Sequence, residues 1–183
     1  MAIKTFTTGE VLTASDTNTY LANSGLVYVK SQTVGSGVSS VTVTSAFSSD
    51  YDNYRIVVSG GSMSSGTALM MRLGTTATTG YFGTFLHSLY NVNTPTSVSD
   101  NNAGQFTYAG GGGTDNVGAV IDVMSPNLAK TSRMSATHIH YSATFGTYTG
   151  VDTSTTQHTS FMIIPFTGTI TGSLITVYGY RKA

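Results

Sequence analysis

The sequence predicts an all-β protein, an antiparallel β-sandwich of jelly-roll type, preceded by a short N-terminal arm with one small helix. Three observations lead there. Ser and Thr supply 55 of 183 residues and Gly 21, while Glu occurs once, at Glu10; such a chain disfavours helix and favours strands and turns. From Leu26 onward apolar residues recur with period two. Turn-forming words separate these runs at the spacing of a sandwich or barrel. Eleven Tyr, eight Phe and repeated Val/Ile/Leu runs provide the core that a disordered Ser/Thr-rich chain lacks.

The arm comes first, over residues 1–25, with the head over 26–183. In "LTASDTNTYLANSG" Thr13 or Ser15 is placed to cap a first turn, Asp16 suits a helix N-terminus and Gly25 can end the segment in a left-handed conformation. The resulting helix of two to three turns has only Leu12, Tyr20 and Leu21 as apolar support, unevenly spaced, so it is marginal alone and must dock on something.

Ten strands then follow. "LVYVKSQTV" and "SVTVTSAF" alternate, and "VGSGVSS" between them suggests a hairpin-like connection. "NYRIVVSG" comes after a turn built from Asp50, Asp52 and Asn53. "TALMMRLG", "YFGTFLHSLY", "GQFTYAG", "GAVIDVMS", "RMSATHIHYS", "SFMIIPF" and "SLITVYGY" complete the set. The longest polar separators, around residues 91–104 and 148–158, are expected to be exposed loops, where recognition concentrates. Edge strands are poor in the Lys and Pro that usually protect them, which favours burial of edges in a closed homo-oligomer.

Composition also excludes. Eight acidic and eight basic residues leave no net charge and no basic patch to gather nucleic acid. No apolar run approaches the length that spans a bilayer, and no export signal is evident, so synthesis in the cytoplasm without membrane insertion is expected. With no cysteine, thiolate metal sites and disulfides are absent.

The opening "FTTGEVLTASDTNTYLANSGL" resembles a leader, approximately F-T-x-G-x-x-L-T-A-x-D-x-N-x-x-L, at the start of tail-associated and other virion proteins of tailed bacteriophages. Phe6, Gly9, Leu12, Thr13, Ala14, Asp16, Asn18 and Leu21 fall on that pattern. "YDNYRIVVSG", "ALMMRLGT", "AVIDVMSPNLAKTSRM" and "MIIPFTGTITGSLITVYGYRKA" resemble a β module of phage structural proteins. Where relatives place an Asn-Gly-Asp-type turn after the "MMRLG" strand this chain has "TTATTG", and it ends in "VYGYRKA" rather than Tyr-Gly-Ile, so loop function does not transfer.

The resemblance implies a docking arm, with Phe6, Gly9, Val11, Leu12, Asp16, Asn18, Tyr20 and Leu21 as its contact residues. It also implies a virion location, other tail or capsid proteins as partners, and a homotrimer. A tail fibre or adsorption appendage would present loops to a host surface glycan or protein; a head-decoration subunit or a glycan-cleaving tail enzyme are the alternatives. Asn93, Asp100, Asn101, Tyr148 and Asp152 are the loop residues expected to make contact.

Catalytic and metal motifs are weak beside these. His138 and His140 share one strand face, with His87 and His158 to complete a set, but two imidazoles fall short of a metal site. "GGGGTDN" lacks the Gly-Lys-Ser/Thr and helix of a phosphate loop and is expected to be a flexible turn. Asp50 and Asp52 lack the spaced ligands of a calcium loop. Asp100, Asp115, Asp122 and Asp152 lie on separate segments, no Gly-x-Ser-x-Gly elbow occurs, and no Trp is present to stack on sugar. The expected protein is therefore non-enzymatic and cofactor-free.

Overall fold

The computed structural model describes residues 7–17, 25–139 and 144–182. Within them lie one helical turn, α1 (Ala14–Asp16), and fourteen strands, all paired antiparallel.

The long layer runs β1 (Leu26–Thr33), β14 (Leu174–Tyr180), β3 (Asn53–Ser59), β9 (Val117–Met124), β10 (Ser132–Ile139), β11 (Thr144–Asp152), β6 (Tyr81–Leu89) and β7 (Thr96–Ala103). The short layer runs β2 (Val41–Val43), β12 (Phe161–Pro165), β5 (Thr67–Leu73) and β8 (Phe106–Gly112), and joins the long one through the β8–β9 hairpin. A two-residue pair, β4 (Ser62–Met63) with β13 (Ile170–Thr171), closes one corner.

The sandwich follows from period-two patterning. In β3, Tyr54, Ile56 and Val58 are buried while Arg55 and Val57 face outward; β9 and β14 repeat this with Ile121 and Val123, and with Ile175 and Val177. They meet Val43, Leu69, Met71, Leu73, Phe161 and Ile163 of the short layer, each essentially inaccessible. Each such side chain contributes ~1.5–3 kcal/mol of burial.

Several expectations need correction. β1 and β2 do not form a hairpin: β1 pairs with β14 and β2 with β12, so the first strands close against the last. The intervening segment is stitched to residues 170–173 instead, with the Val34 amide donating to the Ser173 carbonyl and Val38 bridged to Ile170. Val34 is pulled into the core, which a free hairpin turn would not allow.

The expected loops are shorter than read, because Thr96–Ala103 is β7 and Thr144–Asp152 is β11. β7 escaped notice because a strand at the rim of a sheet needs no apolar face; all but two of its residues are exposed.

"GGGG" is not a flexible turn. Gly110, Gly111 and Gly112 are buried in β8, where an added Cβ would strike Ala119 at the first and lie 2.7 Å from the Ile139 and Asn116 carbonyl oxygens at the other two. The glycines let β8 cross close over β9 and β10.

The edges, too, are protected without many Lys or Pro. β1 carries a bulge between Tyr28 and Lys30, and Lys30 and Gln32 donate to the Thr44 and Thr42 carbonyls beside β2, bridging one edge of each layer. β7 pairs irregularly near Gly83 and turns Asp100 inward onto Thr107 and Tyr148. Bulges and inward charges discourage edge pairing.

Candidate recognition site

Register defines two ends of the sandwich. One row passes from Leu26 through Tyr180, then Asn53 beside Met124, Arg133 beside Val151, and Asp152 beside Tyr81. The opposite row passes from Thr33 through Leu174, Ser59 and Gly118 to Ile139, Phe145 and Ser88. Six residue steps along β9, from Met124 to Gly118, separate the rows, roughly 20 Å at the usual strand rise.

The arm joins at the first row, which we call the proximal end. Among its described residues none is buried; Val11 is 80% and Leu12 48% exposed. Thr13 caps α1 as expected: the Asp16 amide donates to Thr13 Oγ1 at 3.1 Å and the Thr13 amide to Asp16 Oδ2 at 3.2 Å, a reciprocal capping box. Gly9 has φ 88° and Gly25 φ 81°, in the left-handed region that glycine favours. Phe6, Asn18, Tyr20 and Leu21 lie outside the described residues.

The proximal end is tied by hydrogen bonds. His158 Nε2 donates to Asp152 Oδ2 at 3.1 Å, and the Ser154 amide and hydroxyl both donate to the same carboxylate at 3.0 Å. Asn127 Nδ2 donates to the His158 carbonyl and the His158 amide to the Pro126 carbonyl, joining residues 153–160 to 125–131. Burial pushes the Asp152 carboxyl up, but the His158 and Ser154 bonds outweigh it and hold it below the usual carboxylate range.

Ser, His and Asp thus converge, yet both Ser154 and His158 donate to Asp152. The hydroxyl does not rest on the imidazole, which is the contact a nucleophilic relay needs.

Tyr148 and Asp152, expected in an exposed loop, are 0% and 1% exposed. The Tyr148 hydroxyl donates to Asp100 Oδ2 at 2.6 Å, a reach made free by Gly83, where a Cβ would overlap that hydroxyl. Burial and Asp100 push the Tyr148 hydroxyl well above its ordinary value. Asp100 also accepts from the Thr107 amide and hydroxyl and acts as a strut. Of the five residues expected to make contact, Asn93 and Asn101 are exposed.

Asp122 is structural in the same sense. Asp122 receives a two-pronged bond from Arg55 at 2.8 and 2.7 Å and one from the Tyr180 hydroxyl at 2.7 Å; the Arg55 bond chiefly holds its carboxyl below the usual range. Among the described residues no group of three or more His, Cys, Asp or Glu is placed to hold a metal ion. His140 lies outside them.

The distal end differs. Leu89, Tyr90 and Val92, in and beside the β6–β7 connection, are 42%, 71% and 41% exposed. On the outer face an open apolar groove of about 470 Å³ passes over Val57, Val120, Ile139 and Phe145.

Between the layers opens a second cleft, of about 270 Å³, lined by Thr67, Ala68, Phe85, His87, Val98, Tyr108, His138, Thr144 and Phe166. Its floor is an aromatic stack: the His87 and Tyr108 rings lie nearly parallel to Phe85 at 4.5 and 4.4 Å, and His138 stands edge-on to it at 4.8 Å. Offset and edge-to-face rings are worth ~0.5–1.5 kcal/mol per pair. Phe166 and Val98 form the rim, 56% and 42% exposed.

His87 Nε2 lies 3.0 Å from Thr96 Oγ1, whereas its Nδ1 is buried without a hydrogen-bond partner. Burial first, and Asp100 second, raise the Tyr108 hydroxyl above its ordinary value. The sequence put Phe85 and His87 on one strand face at i and i+2; nothing in it brings Tyr108 or Phe166 to them.

No protein-family model matches this chain, and no curated protein does. Among solved structures, one of infectious bursal disease virus, Gx strain, is 11% identical over 83% of this chain and 39% of that one, with a TM-score of 0.12, an overlap too poor to carry an argument.

Proposed function

We propose that the chain is a non-enzymatic structural subunit of a tailed-phage virion, a homotrimeric tail fibre or adsorption appendage. The arm is its anchor and the distal end meets a host surface glycan or protein. The observation that carries this reading is the separation of the two ends. The segment with exposed apolar residues, and none buried among its described residues, leaves the sandwich at one end, and the exposed apolar hairpin and cleft occupy the other.

That layout suits a head held out from a larger particle. The outer-face groove over Val120, Ile139 and Phe145 offers apolar area for a neighbouring copy, and with eight charges of each sign little electrostatic repulsion opposes close packing. Grouping several weakly binding heads on one base multiplies their hold on a surface.

The test is incorporation. Residues 26–183 alone, and the full chain carrying Leu12→Asp, are expected to melt at the temperature of the parent yet be missing from purified particles. Immunogold labelling of wild-type particles should mark a handful of copies at the tail. Hundreds of copies over the head would instead identify a decoration subunit, and full incorporation without the arm would refute the anchor.

A further inference from the structure

We infer that the distal cleft is a binding site for one uncharged sugar ring. This deepens the reading above, on which its biological use rests.

The argument starts with charge. Among the described residues no Asp, Glu, Lys or Arg lines the cleft, so a charged group entering it would lose water without gaining a counter-ion from its walls, a cost of several kcal/mol. The occupant is therefore neutral.

Its polarity follows from the walls. Phe166 and Val98 present apolar surface at the rim, while the lining residues Tyr108, Thr67 and Thr144 carry hydroxyls that make no hydrogen bond to another described residue. Groups that both donate and accept, set among aromatic and aliphatic carbon, match a molecule with an apolar face and a hydroxyl-bearing edge. A neutral pyranose is such a molecule. A purely aliphatic ligand would leave the hydroxyls without partners, which disfavours it.

Size narrows the choice. At about 270 Å³ the cleft falls just under the range of about 300–1,000 Å³ that holds drug-sized ligands, so it takes one ring with its neighbours outside. Phe166 is the ring free to stack, because it is 56% exposed whereas Phe85 is buried and already packed against the rings of His87, Tyr108 and His138. A site this small binds weakly, with a dissociation constant of about 1 mM. Affinity for a surface would come from several copies acting together.

Saturation-transfer difference NMR on the full chain tests this, with methyl glucoside, methyl galactoside and N-acetylglucosamine as neutral probes, and glucuronate and glucosamine as charged ones. Transfer to at least one neutral sugar is expected, with little to either charged one. Phe166→Ala should weaken that binding at least fivefold and Tyr108→Phe measurably, whereas Leu174→Ala, exposed in another part of the sheet, should leave it unchanged. Transfer to no neutral sugar at 10 mM, equal transfer to the charged ones, or a signal indifferent to Phe166→Ala would overturn the inference. A chain that enters particles through its arm but binds no neutral sugar refutes the site and leaves the assembly reading standing; one that binds sugar but never enters particles does the reverse.

Discussion

His158 and His87 sit at opposite ends of the same sandwich, and the protein treats them in opposite ways. His158 is 8% exposed, with Nε2 on a carboxylate that is itself buried and shared with the Ser154 amide and hydroxyl. His87 lies against Phe85, with one nitrogen beside an exposed threonine hydroxyl and the other buried with no partner. The first is a completed network that fastens two loops. The second is an aromatic wall with spare hydrogen-bonding capacity. Residue type alone does not separate them; the difference lies in whether the surroundings use up the polar groups.

The largest effect should come from breaking the completed network. Asp152→Ala removes the acceptor of three hydrogen bonds and strands a buried imidazole, so a loss of about 3 kcal/mol is expected. For a chain of this length that lowers Tm by roughly 6–12 °C. His158→Ala should cost about 2 kcal/mol, and the double variant less than the sum, because the two changes delete one shared contact. Calorimetry of the four proteins measures this. Strict additivity would show that Asp152 and His158 are not coupled.

The core strands were legible in the sequence, whereas that network was not. Alternation in "NYRIVVSG", "GAVIDVMS" and "SLITVYGY" identified β3, β9 and β14 because each has one face on the core and one in water. "TFGTYTGVD" misled because its inner positions include Gly146 and Gly150, which look like turn residues. They are glycine because Leu86, His87 and Phe106 leave no room for a Cβ. The same ambiguity hid Tyr148, which reads as a loop tyrosine until Gly83 on the adjacent strand is seen to admit it. The two ends of the molecule were not legible at all, since they depend on which strands pair, and first-with-last pairing leaves no local mark.

A smaller effect, again confined to the proximal half, should appear on acidification. Burial pulls the Asp152 carboxyl up and its hydrogen bonds pull it down further, while Arg55 chiefly holds Asp122 down, so both carboxyls titrate below the ordinary value in the folded chain. The unfolded chain then binds protons more readily. The stability these groups contribute is fully present above about pH 4 and drains away as pH falls through the depressed folded values. Each such group steepens the acid limb by at most about 1.4 kcal/mol per pH unit. Asp152→Asn, though less stable at neutral pH, should show a shallower decline below pH 4 in urea titrations run at successive pH values. An unchanged slope would place the acid sensitivity elsewhere.

The smallest effect is expected at the distal histidine, and it sharpens the contrast most. His87→Leu gives up an exposed hydrogen bond to Thr96 and a stacked ring, each worth about 0.5–1.5 kcal/mol. It also removes a buried nitrogen with no partner, whose burial costs about 1–3 kcal/mol. These changes oppose one another, so the net loss should stay under about 1 kcal/mol by urea denaturation, where the same substitution at His158 should cost two to three times as much. Equal losses at the two positions would mean that His87 holds the fold as His158 does. In that case the cleft would be an ordinary part of the core, and the division of the sandwich into a fastened end and an available end would fail.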